Sequence, residues 1–178
     1  MTKSKSEIRR EAKSRVKALS PEERKAKSAL IFRQLTQSEP IKSAKVIALY
    51  ASLPDEVESF DFITTMATRK RVVLPRVAGD DMDFYPYHAD GLSIGSFGIS
   101  EPQGTTPIAP EEIDVIIVPG VSFTRSGIRC GRGKGYYDKY LSRHGFRATK
   151  IGVCYSEQLA ERIPAEPHDI IMDDVIFA

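Results

Sequence analysis

Asp114-Val115-Ile116-Ile117-Val118-Pro119-Gly120 is the stretch on which the fold turns. Its four consecutive β-branched residues leave no polar position to face water, whereas a strand with one wet face would alternate. Asp114–Val118 therefore reads as a strand covered on both sides, at the centre of a sheet. Working outward, Val46–Tyr50, Val72–Pro75, Phe84–Tyr87, Ile151–Tyr155 and Val175–Phe177 read as further strands, short and rich in β-branched or aromatic residues. Helical stretches at Phe60–Lys70, Lys134–His144 and Ser156–Arg162 fall among them. Two more, Ser6–Leu19 and Pro21–Gln37, precede the first strand, the second opened by a capping box of Ser20 and Glu23 with Pro21 at N1. Alternating strands and helices predict an α/β fold with a largely parallel sheet. Asp80 to Pro110, rich in Gly, Ser, Thr and Pro, reads as an irregular connection apart from its one short strand.

Composition narrows the class. A chain of 178 residues, 41% hydrophobic and 28% charged, can bury a core as one domain spanning 1–178. No apolar run reaches the roughly 18 residues of a membrane span, and Met1–Lys17 is highly charged where a secretory signal would be apolar, so a cytoplasmic location is expected. Cys130 and Cys154 are too few for a disulfide framework and lack zinc-site spacing, which makes them ordinary reduced thiols. The net charge of +2 is unevenly spread: residues 1–27 hold ten of the 26 Lys/Arg but four of the 24 Asp/Glu. A basic end of this kind is a solvated helix face, a nucleic-acid patch or one wall of a phosphate site, the solvated face being the simplest.

In open α/β sheets ligands bind beyond the carboxyl ends of the strands. Two segments occupy such positions, Ala51–Glu58 and Pro119–Asp138. Within the second, Gly127-Ile-Arg-Cys-Gly-Arg-Gly-Lys-Gly-Tyr-Tyr-Asp138 packs four glycines and three cations ahead of a helix start. Glycines let backbone amides approach an anion, and Arg and Lys neutralise it. Neither common nucleotide motif fits: five residues separate Gly127 from Gly133, Gly135 follows Lys134 where a P-loop needs Ser or Thr, and Tyr136 stands where the dinucleotide fingerprint needs Gly or Ala. A flexible basic surface loop is the plain alternative. Tyr136 and Tyr137 offer flat faces to a heteroaromatic ring or pack in the core, and Asp138 can hold a hard cation. In the first segment, Asp55, Glu56 and Glu58 follow a strand, where turn and cap roles are ordinary and one acid pointing into a cleft is plausible.

With these features together, the sequence resembles the 5-formyltetrahydrofolate cyclo-ligase family, the methenyltetrahydrofolate synthetases, along nearly its whole length. Gly131-Arg-Gly-Lys-Gly-Tyr-Tyr-Asp138 is decisive. Lys5-Ser-Glu-Ile-Arg9, Ala48–Glu58, Gly98-Ile-Ser-Glu-Pro102, Val118–Phe123, Ile151-Gly-Val-Cys-Tyr155 and His168-Asp169 through Asp173 support it in order. The chain departs from the family pattern at Cys130, where Leu is usual, Thr124, where Asp is common, and Ser59, where Thr is common.

The resemblance implies a three-layer α/β/α sandwich with a largely parallel central sheet, like the ribose-5-phosphate isomerase and CoA transferase folds. It also implies ATP-dependent closure of 5-formyltetrahydrofolate to the 5,10-methenyl form by a monomer with no nucleic-acid or membrane partner. By similarity, ATP would meet Lys5, Ser6, Glu7, Ile8 and Arg9, together with Arg129, Cys130, Gly131, Arg132, Gly133, Lys134, Gly135, Tyr136 and Tyr137. The folate would meet Ala51, Glu56, Arg132, Gly133, Lys134, Gly135 and Tyr136. Arg132 and Lys134 would be catalytic, and Asp138 and Asp173 would hold Mg²⁺. His168 reads as a turn residue, while Asp55 and Glu58 read as structural acids. The competing readings are a sugar-phosphate isomerase or CoA transferase, reached by fold analogy alone, and a basic nucleic-acid-binding module, which lacks the interleaved aromatic and basic residues of known RNA-binding motifs.

Overall fold

A computed structural model describes residues 3–94 and 100–178. Gly98 and Ile99 of the Gly98–Pro102 stretch lie outside the described residues. The chain begins with helices α1 (Lys5–Lys17), α2 (Pro21–Gln37) and α3 (Glu39–Ser43), followed by strand β1 (Val46–Ala48) and helix α4 (Phe60–Ala67). Strands β2 (Arg71–Ala78), β3 (Asp81–Pro86), β4 (Leu92–Ile94), β5 (Ser100–Pro102), β6 (Val115–Val118), β7 (Ser122–Phe123) and β8 (Arg129–Cys130) come next. Helix α5 (Tyr136–Leu141), β9 (Thr149–Cys154) and β10 (Asp174–Phe177) complete it.

The main sheet has six strands in the order β10-β9-β6-β1-β2-β3, all parallel except the β2–β3 hairpin. All four residues of β6 are buried, and the strand lies inside the sheet between β9 and β1, as its unbroken apolar run requires. Alternate residues feed two cores. Ile47, Val72, Val115 and Ile151 pack against Ile31, Phe32 and Leu35 of α2 and Ile63 of α4. Ala48, Val73, Ile116 and Val118 pack against Phe123, Tyr140 and Leu141. The result is the expected three-layer sandwich.

Both long helices open on capping boxes. Ser20 Oγ accepts from Glu23 N, while Glu23 returns a carboxylate to Ser20 N at 2.7 Å, and Ser4 with Glu7 repeats the device. The Ser4 box starts α1 one residue before the sequence boundary. Ser156–Arg162 is not a helix. It forms one 3-10 turn, Ser156–Gln158, because buried Gln158 accepts from Tyr155 N and donates to Gly120 O and Val121 O, and the chain then bonds to Phe123 O through Ala160 N. Asp80–Pro110 is also more ordered than its composition suggests: it contains β3, which pairs with β2, and the antiparallel pair β4 and β5.

The short β7–β8 hairpin is wedged onto the sheet by Phe123, fully buried over Gly120 and Gly152. A Cβ added at Gly152 would fall 2.5 Å from the Phe123 ring, so only glycine lets the ring sit there. This contact fixes the hairpin from which the Gly131–Asp138 loop departs.

Candidate active site

A cavity of about 470 Å³ opens beyond the carboxyl ends of β1, β2 and β6. The two segments singled out in the sequence face each other across it, Tyr50–Glu56 on one side and Pro119–Asp138 on the other. Pro75, Val77, Met82 and Glu101 close its apolar end, and Lys5, Arg9, Glu166, His168 and Asp169 close its charged end.

The helical repeat decides which residues of α1 arrive. Lys5 and Arg9 lie one turn apart on one face and line the cavity. Ser6, Glu7 and Ile8 do not: Glu7 is spent on the Ser4 cap, and Ile8 is buried with Cys130 and Ile163. The Cys130 side chain faces that same small core, its thiol towards Lys5 O and its pKa raised by burial, so it too lies off the cavity wall.

The loop itself is built to approach a ligand. Gly133 (φ +100°) and Gly135 (φ +72°) take left-handed conformations that side chains disfavour, and Gly135 starts α5. Arg9 Nε donates to Gly131 O at 2.7 Å, tying α1 to the loop. Arg129 lies almost buried, donates through Nε to Pro119 O, and sits 3.6 Å from Asp138. Burial lowers its pKa, and the Asp138 carboxylate offsets part of that. Lys134 is exposed on the rim without an ion-pair partner among the described residues.

Arg132 crosses the cavity to Asp55 and to Glu56 at 3.1 Å. Glu56 is 7% exposed and also accepts from Leu53 N; burial raises its pKa despite Arg132. Its backbone oxygen accepts from the buried Tyr155 hydroxyl, which lies 3.1 Å from Ser28 Oγ, and Ser28 in turn accepts from Glu58 N. Tyr50 donates to Val57 O, so the loop carrying Glu56 is pinned from two sides. Tyr136 donates to Gly79 O, while Tyr137, its hydroxyl pKa raised by burial, lies under the Arg129 guanidinium.

Asp173 does not reach this cavity. Its carboxylate accepts from Lys150 N at 2.7 Å and pairs with Lys150 Nζ, while its own N–H donates to Lys150 O at the start of β9. Asp114 makes the same clamp with Lys45 and Val46 at the start of β1. Both aspartates fasten the amino-terminal edge of the sheet, opposite the cavity. Asp169 is the acid that lines it. Lys5 Nζ lies 2.7 Å from both Asp169 and Glu166. Burial opposes charge on Lys5 and on Asp169, but their mutual hydrogen bond and attraction prevail: the Lys5 pKa is raised and that of Asp169 lowered. His168-Asp169 was visible in the sequence, but only the fold shows that Asp169 turns inward and Asp173 does not.

The donor set at this end suits a hard cation. Asp138 and Asp169 supply carboxylate oxygens on one wall, and Asp138 accepts from Ile170 N, the residue after Asp169. Glu166, His168 and Asp169 each offer a ligand atom within 4.8 Å of the others. Mg²⁺ takes one or two carboxylates with water and phosphate oxygen, so this wall can hold it without a protein cage.

A sequence profile of the 5-formyltetrahydrofolate cyclo-ligase family matches residues 1–178. The chain is 29% identical over 191 residues to the mouse 5-formyltetrahydrofolate cyclo-ligase, covering 96% of this chain and 91% of that protein. The solved 5,10-methenyltetrahydrofolate synthetase of Aquifex aeolicus superposes with a TM-score of 0.88 at 36% identity, covering 97% of this chain and 89% of that one. The Mycoplasma pneumoniae synthetase superposes at 0.77 with 30% identity, over 97% of both chains.

Proposed function

The chain belongs to the 5-formyltetrahydrofolate cyclo-ligase family, and from this premise we propose that it closes 5-formyltetrahydrofolate to 5,10-methenyltetrahydrofolate at the expense of ATP. The observation that carries the reading is one cavity in which the cations of Arg129–Lys134 face Glu56 and an apolar wall.

The formyl carbon on N5 is stabilised as an amide and would have to expel hydroxide, so it needs activation. In the proposed sequence the formyl oxygen attacks the γ-phosphorus of ATP, the bond to the bridging oxygen breaks, and ADP leaves with that electron pair. N10 then attacks the activated carbon and loses its proton. The carbon–oxygen bond breaks, and phosphate departs with the former formyl oxygen. Such transfer depends on positioning and charge stabilisation. Lys5, Arg9, Arg129 and Lys134 are the cations for the phosphates, and the loop amides around Gly133 add donors. Arg132 stands between the substrates, paired with Glu56 on the folate side. Glu56 orients the pterin or formyl group, with Tyr136 as an aromatic neighbour. Asp138 and Asp169 would hold Mg²⁺, which would neutralise negative charge developing on the phosphates.

Two free, buried thiols fit the reducing cytoplasm. The test is formation of the methenyl chromophore from 5-formyltetrahydrofolate by pure protein with ATP and Mg²⁺. Absence of product from folded protein would remove the reading.

A further inference from the structure

Glu101 on β5 is 7% exposed and lines the apolar end of the cavity with Pro75, Val77 and Met82. Its one hydrogen bond among the described residues is a long one, from Val77 N to Oε1 at 3.2 Å. Glu56, equally buried, has Arg132; no cation lies within ion-pair distance of Glu101 among the described residues. Neighbouring Arg76 is committed to Pro102 O and Gly104 O, and Gly95 to Ile99 include no Lys or Arg. A carboxylate removed from water needs donors for its remaining lone pairs. Holding one backbone N–H would need only a neutral glutamine, so the structural contact does not explain the charge. What remains is the cavity.

We propose that Glu101 is a substrate-recognition residue, its carboxylate accepting the two adjacent N–H donors of the pterin edge, N3–H and the 2-amino group. The inference rests on the reading that this cavity holds the folate. A carboxylate presents two oxygens side by side and matches such a donor pair in bidentate fashion. Within an apolar wall the match selects the ring edge, because a ligand lacking the donors leaves the charge buried and unpaired. The division of labour with Glu56 follows: the acid already paired with Arg132 lies beside the reacting groups, and the unpaired acid reads the far edge of the ring.

The test measures the Kd of 5-formyltetrahydrofolate by calorimetry without ATP, so that it does not depend on turnover. Glu101→Gln keeps an oxygen for Val77 N and removes the charge. Kd should rise roughly 10- to 100-fold, as for loss of a charged hydrogen bond. The KM for ATP should stay within about twofold and thermal unfolding should be unchanged. An analogue with a methyl group in place of the 2-amino group should bind the wild type more weakly, and Glu101→Gln should add little to that loss. Wild-type folate affinity in folded Glu101→Gln, or full additivity of the two changes, overturns the proposal. If the wild type binds the folate in this Glu101-dependent way but forms no methenyl product, the proposed reaction fails and the recognition role stands. If it binds no folate at all, both fall.

Discussion

At the end of the cavity proposed for the phosphates, Lys5, Arg9, Arg129, Arg132 and Lys134 converge on largely exposed, glycine-rich backbone, and most of them already touch a carboxylate or a carbonyl. At the end proposed for folate, two buried glutamates stand among proline, valine, methionine and tyrosine, Glu56 on a loop pinned by buried hydrogen bonds and Glu101 on β5. The first end holds its cations in exchangeable pairs, which an incoming polyphosphate can replace. The second is preformed and selects by shape and by where its negative charges lie. Substitutions at the first end should therefore act mainly on rate, and those at the second mainly on folate KM.

The largest effect expected is at Lys134, exposed and free of ion pairs among the described residues. Lys134→Ala should lower kcat and kcat/KM together by roughly 10²-fold or more while leaving the melting temperature in place. Near wild-type turnover by the folded variant at limiting and saturating ATP would remove Lys134 from the mechanism.

If Asp169 and Asp138 hold Mg²⁺ as proposed, Asp169→Asn and Asp138→Asn should each cost at least roughly tenfold in activity, partly recovered at high Mg²⁺. Asp173→Asn should leave turnover unchanged and lower only stability, since that acid clamps β9 at the other end of the sheet. Parallel Mg²⁺ titrations of the three variants decide the matter.

That contrast shows where sequence was informative. The glycine and cation loop, the central strand and the Ser20 cap declare themselves within a few residues of chain, and the fold class follows from them. Choosing Asp169 over Asp173 does not, because it depends on how β10 registers against β9. Ser6, Glu7 and Ile8 lie off the cavity for a helical reason: Ser6 faces solvent, Glu7 is spent on a cap and Ile8 enters a small core. The role of Glu101 was not legible because Asp80–Pro110 carries little periodicity, its strands being held by partners elsewhere such as β2 and Val77.

A smaller effect should mark the folate end. Tyr155→Phe removes the hydroxyl that holds Glu56 O and contacts Ser28. We expect a several-fold rise in folate KM, little change in ATP KM, and about 1 kcal/mol lost from stability in denaturant unfolding. Equal changes in both KM values would contradict the separation of the two ends.

The smallest effect concerns the Lys5 pair. Lys5 titrates above its ordinary 10.5, so its contribution is complete below that pH and lost as pH climbs through the raised value. Asp169 titrates below its ordinary 3.8, so its contribution is present above that pH and lost as pH falls through the lowered value. The melting temperature of Lys5→Met should fall about 1–3 °C below wild type between those limits and converge with it beyond either. A difference independent of pH would mean that Lys5 acts by packing alone.

The most direct test of the account follows the formyl oxygen itself. With 5-formyltetrahydrofolate carrying ¹⁸O in the formyl group, a single turnover with ATP should deliver that atom into inorganic phosphate, one labelled phosphate for each methenyl product, read by mass spectrometry. Unlabelled phosphate alongside full product formation would show that the γ-phosphoryl group never joined the formyl oxygen, and the proposed route would be wrong.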